Sequence, residues 1–121
     1  MAMKIGHFVN IEISPPEVAV DKHRTVPPLF WERVVNRSAE IAIREKDFGI
    51  WNEISWGEYG EKAMYAGLGL CSLGLNRGDV CSIASEVCKE WLFADLGMIC
   101  CGGITNGVYP TDSATQVKYL V

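Results

Sequence analysis

Residues 78–110 read GDVCSIASEVCKEWLFADLGMICCGGITNGVYP, and the order of signals in them decides the fold. Val80 to Ser85 is a short apolar run, entered from the turn Leu75-Asn76-Arg77-Gly78-Asp79. Glu86 to Glu90 turns the chain into a helical stretch, Trp91 to Cys101, that is apolar on almost every side, and Gly102-Gly103 stops it. Ile104 to Tyr109 is the second apolar run. Two strands about twenty-five residues apart with a helix between them predict a parallel βαβ unit with a right-handed crossover. A helix apolar all round belongs on the packed face of such a sheet. With Asp95 inside it, the same stretch falls well short of the roughly 20 apolar residues a bilayer span needs.

Upstream, Ser55 and Glu58 have the S-x-x-E spacing of a capping box. The helix they open carries Tyr59, Ala63, Ala66, Leu70 and Leu73 on one face, and Gly74 closes it. Before it, Ile41 and Ile43, then Ile50, Glu53, Ile54 and Trp56, alternate around Lys46-Asp47-Phe48-Gly49. This predicts a β-hairpin with a loop somewhat longer than two residues. Thr25 ahead of Pro27-Pro28 starts a helix from about Pro28 to Arg37, with Leu29, Phe30, Val34 and Val35 as its buried stripe. Residues 1–24 hold a short strand over Ile5–Ile13 broken by Ser14-Pro15-Pro16, and are expected to form an extension lying on something else.

Downstream, Tyr109 to Val121 reads YPTDSATQVKYLV. Pro110 and Thr111-Asp112 form a turn, and Ser113 with Gln116 has S-x-x-Q capping-box spacing. Val117, Leu120 and Val121 begin an apolar face, with no Gly, Asn or Pro to end the helix, so the fold is expected to continue past Val121. The fold class is therefore α/β: an N-terminal hairpin followed by β-α-β-α units of a mostly parallel sheet. Residues 1–24 are the extension and 25–121 an incomplete α/β subdomain.

The chain has 121 residues, is 49% hydrophobic and 21% charged, and carries a net charge of −4, which suits one globular domain. No Lys/Arg run exists to bind nucleic acid. The cluster Asp21-Lys22-His23-Arg24 reads as a solvated loop. The start, MAMKIGHFVNIEIS, has no signal-type apolar core. Cys71, Cys81, Cys88, Cys100 and Cys101 show no C-x-x-C spacing, so they read as small hydrophobes in a reducing, cytoplasmic setting rather than as a zinc site. A nucleophilic Cys would need His7 or His23 as its base, and no motif frames either.

Gly67-Leu68-Gly69 with Gly74 fails the G-x-G-x-x-G pattern, since Ser72 holds the third glycine's place and the glycines end a helix. They read as close packing and a cap. Arg77-Gly78-Asp79 reads as a tight turn. Asp79 and Glu86 flank one strand and could pair as acid and base, though carboxylates bordering a strand are usually solvated. In an open α/β sheet, ligands bind beyond the carboxyl ends of the strands. The candidate loops are therefore Ser85 and Glu86 after the first strand, and Tyr109, Pro110 and Thr111 after the second. No phosphate-loop motif is present, and no catalytic, cofactor-binding or metal-ligating residue is assigned.

AIREKDFGIWNEISWGEYGEKA resembles the corresponding segment of AMP-forming acyl-CoA synthetases of the long-chain fatty acid type, as does GLGLCSLGLNRGDVCSIASEVCKEWLFADLGMICCGGITNGVYPTDSATQVKYLV. The resemblance runs from Thr25 to Val121. It rests on an ordered series: ISWGEY, the LGL-x-x-GD turn, EW-x-x-ADL, and GG-x-x-x-G-x-YPT. Val87 and Lys89 stand where that family often has Asn and Pro. The resemblance implies a complete enzyme that uses ATP, Mg²⁺ and coenzyme A to activate a fatty acid through an acyl-adenylate. It places the phosphate loop, the nucleotide contacts and the catalytic Lys outside the matching segment, so the 121-residue chain alone is expected to be inactive. Its partners would be the remainder of the same polypeptide and the fatty acid. Uncovered sheet edges suggest self-association, and peripheral contact with a membrane is compatible with the family. Two rivals stand beside it: a truncated paralogue serving as an interaction or oligomerisation module, and a small α/β domain binding some other ligand at the Ser85 and Tyr109 loops.

Overall fold

In the computed structural model, which describes residues 25–121, β3 (Val80–Ala84) and β4 (Ile104–Val108) pair in parallel and α3 (Lys89–Cys100) connects them. The pairing runs without a shift from Val80 opposite Ile104 to Ala84 opposite Val108. Ahead of this unit lie α1 (Val26–Asn36), the antiparallel hairpin of β1 (Ile41–Asp47) and β2 (Ile50–Ser55), and α2 (Trp56–Ser72). After it comes α4 (Ala114–Leu120). The strand expected at Ile5–Ile13, the 1–24 extension, His7, His23 and the Asp21–Arg24 cluster lie outside the described residues.

Local contacts set the start of α2 and α4 and the ends of α2 and α3. At the start of α2 the Glu58 N–H donates to Ser55 Oγ at 3.2 Å, and the Ser55 N–H donates to Glu58 Oε2 at 2.8 Å. The backbone and hydroxyl of Ser55 hold the Glu58 carboxyl below its ordinary range. Ser113 and Gln116 repeat the capping box at α4. The ends of α2 and α3 are a matched pair. Gly74 donates to the Cys71 carbonyl and Leu75 to that of Leu70, while Gly102 donates to Ile99 and Gly103 to Met98, all at 3.0–3.1 Å. These are two Schellman motifs, and Gly74 and Gly102 both occupy their left-handed position. The Gly78 N–H then reaches the Gly102 carbonyl, and the Ile104 N–H the Asp79 carbonyl, both at 2.8 Å. The two parallel strands thus start in phase.

Three expectations need correction. The hairpin loop is two residues, not longer: Asp47 pairs with Ile50, leaving Phe48 and Gly49, both at positive φ (44° and 84°). That geometry matches strand twist in a tight hairpin, but Phe is not a residue that announces it. Leu73 is 86% exposed because α2 has already ended in its Schellman turn, and Leu75 is tucked in instead. Val35 is exposed too, on the outer side of α1.

The core is aromatic. Phe30 of α1 meets Tyr59 of α2 edge-on at 5.0 Å, and Tyr59 meets Phe93 of α3 at 5.6 Å. Trp56, Ile43, Ile54 and Leu96 pack around them. One turn along, α2 and α3 approach backbone to backbone. A Cβ on Gly97 would lie 2.6 Å from the Ala63 carbonyl oxygen and 2.7 Å from the Gly67 nitrogen. Neither atom can yield without moving a helix.

Two outcomes check this packing. Gly97→Ala is expected to destabilise the protein by about 1–3 kcal/mol through overpacking. Gly69→Ala, which meets open space on the neighbouring helix α2, is expected to stabilise it by about 0.5–1 kcal/mol. Urea midpoints of both variants decide; equal shifts of one sign would contradict the contact. Burial, aided by the charge of Asp95, pushes the Tyr59 phenol up to about 12. Its unfolded value is about 10, so its stabilising contribution is whole below pH ~10 and is lost as pH rises towards ~12. Tyr59→Phe should flatten that alkaline fall in a pH series of thermal melts.

Candidate functional site

Because β3 and β4 are parallel and in register, their carboxyl ends open side by side. The chain leaves β3 through Ser85 and Glu86, and leaves β4 through Tyr109 and Pro110. These four residues line one cleft of about 280 Å³, together with Val87, Trp91, Gly107 and Val108. Four of the five residues expected from the sequence are thereby brought together. Thr111 is exposed on the following turn and does not line the cleft.

Trp91 and Gly107 were not among the expected residues. Trp91 stands in the first turn of α3, and a Cβ on Gly107 would lie 3.7 Å from its Cζ2 atom. The indole therefore covers the bare backbone of β4 and forms the apolar wall. Periodicity could not have found it: the structure pairs Ile83 with Gly107 in the parallel register, and that pairing is what puts the first turn of α3 over this end of the sheet.

The polar groups are few. Ser85 Oγ donates to the Glu86 carbonyl at 2.8 Å and lies 3.6 Å from Cys88 Sγ. The Tyr109 N–H donates to Asp112 Oδ2 at 3.1 Å, and the Asp112 N–H returns to the Tyr109 carbonyl at 3.0 Å. This latch fixes the turn that presents Tyr109. The Tyr109 ring is exposed and also borders a second, open concavity of about 500 Å³ formed with Asp112, Thr115, Gln116, Tyr119 and Leu120. Asn106 holds α4 against the sheet: its Nδ2 donates to the Leu120 carbonyl at 2.9 Å and to Ser82 Oγ at 3.1 Å.

Beside the cleft, the Lys89 ammonium is paired with Glu45 of β1 and lies 3.5 Å from Glu90. The hydrogen bond to Glu45 raises the Lys89 pKa. A side chain that departs from the resembled family's pattern thus ties the hairpin to the start of α3. Asp79 accepts the Asn76 N–H at 2.7 Å in the turn before β3, at the opposite end of the strand from Glu86, so the two carboxylates form no acid–base pair. Gly67 is buried against Gly97 as a packing residue. Among the described residues no group of three or more His, Cys, Asp or Glu side chains could hold a metal ion, and no helix is long and apolar enough to cross a membrane. The arrangement is suited to seating a ligand against Trp91 and Tyr109, with one hydroxyl, one carboxylate and one phenol at its rim.

Asn106→Ala is expected to free α4 while leaving the sheet intact. Hydrogen exchange should show faster exchange across residues 114–120 and unchanged protection across 80–84; unchanged exchange in α4 would mean that Asn106 does not hold it.

The family description AMP-binding enzyme matches residues 30–121. Long-chain-fatty-acid--CoA ligase ACSBG2 of Xenopus laevis is 31% identical over 112 residues, which cover 93% of this chain and 15% of that protein. Long-chain-fatty-acid--CoA ligase FadD15 of Mycobacterium tuberculosis is 30% identical, covering 91% of this chain and 18% of that one. This chain therefore spans under a fifth of the length of these curated relatives. Among solved structures, the N-terminal subdomain of NpsA from Klebsiella oxytoca, in complex with anthranilyl-AMSN, superposes with a TM-score of 0.72 at 20% identity, over 78% of this chain and 24% of that chain. At that identity the likeness shows the fold alone: the α/β architecture described above is shared with that subdomain.

Proposed function

This chain belongs to the AMP-binding enzyme family, and we propose that it forms the N-terminal α/β portion of an ATP-dependent, AMP-forming long-chain fatty acid–CoA ligase. The observation that carries this is the match, at about 30% identity over most of the chain, to curated ligases of that name from animals and mycobacteria. In the proposed reaction a carboxylate oxygen of the fatty acid attacks the α-phosphorus of ATP, and the bond to the bridging oxygen of pyrophosphate breaks. The thiol of coenzyme A then attacks the acyl carbonyl; AMP leaves, and the thiol proton passes to solvent.

This chain's part is architectural and local. Its parallel strands hold the Ser85-Glu86 and Tyr109-Pro110 loops at one rim, and Trp91 excludes water from the wall between them. Mg²⁺ would neutralise phosphate charge in such a reaction, but the described residues offer no cluster of metal ligands and do not fit that role. The nucleotide phosphates and the metal are assigned instead to parts of the family fold beyond the segment matched here. We further assign residues 1–24 to an extension and 25–121 to the subdomain, in a cytoplasmic protein that touches membranes only peripherally.

Two measurements test this. Titration calorimetry of the 121-residue chain with ATP·Mg²⁺ should give no micromolar binding. A protein that carries this chain together with the rest of the family fold should release AMP and pyrophosphate only when palmitate is present, and form palmitoyl-CoA when coenzyme A is added. Tight nucleotide binding by the 121-residue chain would move the nucleotide site into it, and release of ADP, or turnover indifferent to a fatty acid, would overturn the ligase assignment.

A further inference from the structure

The helix contact that builds the core also brings two thiols together. α2 and α3 run alongside each other in the same direction. The Tyr59 hydroxyl donates to the Leu92 carbonyl at 3.4 Å; one turn on, Ala63 lies against Gly97; and a Cβ on Gly67 would stand 2.9 Å from Cys101 Sγ. Cys71 follows Gly67 by one helical turn and shares its face. It therefore stands beside Cys101, and each thiol feels the other. Two small residues, Gly67 and Gly97, narrow the gap between the helices just before this point, which is what a disulfide between neighbouring helices requires.

The five cysteines are all free, and Cys71 and Cys101 are the two that the approach of α2 to α3 sets face to face. Cys100, next in sequence to Cys101, packs against the aromatic core on the side of Trp31 of α1. Cys88 neighbours Ser85 at the cleft, and Cys81 lies within β3. Within the pair the roles differ. Cys71 is exposed and Cys101 half-buried. Burial, with the Cys71 thiol and Cys100 adding to it, pushes Cys101 up to about 11, so this thiol keeps its proton until a partner sulfur is ready.

We propose that Cys71 and Cys101 are an oxidation-sensitive pair that closes to a disulfide between α2 and α3 when the protein meets a hydroperoxide. The Cys71 thiolate attacks a peroxide oxygen. The O–O bond breaks, the departing hydroxide takes up the proton that the Cys71 thiol gave up and leaves as water, and Cys71 becomes a sulfenic acid. The Cys101 sulfur attacks the Cys71 sulfur; the S–O bond breaks, and the hydroxide leaves with the Cys101 proton as a second water. Two thiols give up two electrons and two hydrogens, and hydrogen peroxide is reduced to two waters. A dithiol reductant reopens the bond by exchange. The cross-link joins the last turns of both helices, at the end of the sheet opposite the cleft. Oxidation therefore stiffens the helix pair without closing the site. This inference does not depend on the ligase assignment.

The test treats the full chain with hydrogen peroxide, digests it without reduction and maps the joined peptides by mass. The expected product is an intramolecular Cys71–Cys101 pair two hydrogens lighter than the free peptides and absent after dithiothreitol. The urea midpoint of the oxidised protein should exceed that of the reduced protein, and Cys71→Ser, a change at an exposed position, should abolish both the cross-link and the shift. Linkage through Cys100, Cys81 or Cys88, a disulfide between two copies, sulfinic acid at Cys71 with Cys101 still free, or an unchanged midpoint would each overturn the proposal. The mapping needs no variant, so a folding defect in Cys71→Ser would not rescue it.

Discussion

The contact of α2 with α3 at Gly67 and Gly97 is the constraint on which the rest depends. Backbone atoms there stand where a single methyl group would collide with a carbonyl oxygen and a peptide nitrogen. Interiors packed this densely do not absorb even a methyl without displacement. The close approach sets the depth to which α3 sits against α2. That depth seats Tyr59 on Phe93, and Phe30 of α1 completes the aromatic cluster. At the other end it brings the two Schellman turns side by side, so that Gly78 bonds Gly102 and Ile104 bonds Asp79 before the strands begin.

From that phase the site follows. Strands that start together and have the same length end together, at Ala84 and Val108. Two loops distant in sequence then face one cleft, and the first turn of α3 supplies Trp91 as its wall. At this end of the sheet the residues form an apolar surface, a latched turn and a few polar groups.

Much of this was legible in the residues. Both capping boxes were readable because Ser with Glu or Gln three positions on satisfies backbone groups by local geometry alone. The βαβ order was readable because α3 is apolar all round and glycine pairs stop it. The ligand end of the sheet followed from parallel topology, which is why Ser85, Glu86, Tyr109 and Pro110 could be named together. The misses share another cause, which is geometry set by partners distant in sequence or by rare backbone states. Leu73 fits the helical period, but α2 has already ended in its Schellman turn when the chain reaches it. Phe48 takes a left-handed conformation that its type does not signal. Thr111 belongs to the motif around Tyr109, yet the Asp112 latch turns the chain before it reaches the cleft. Trp91 needed the strand register, which periodicity does not supply.

The parallel register of β3 and β4, set by the glycine contact behind them, is the central claim. Inter-strand amide-to-α-proton NOEs in the labelled protein measure it directly. The expected result is an unbroken parallel ladder from Val80–Ile104 to Ala84–Val108 in the wild type, weakened or lost in a folded Gly97→Ala variant. A staggered or antiparallel ladder in the wild type, or the same ladder undisturbed by Gly97→Ala, would contradict it.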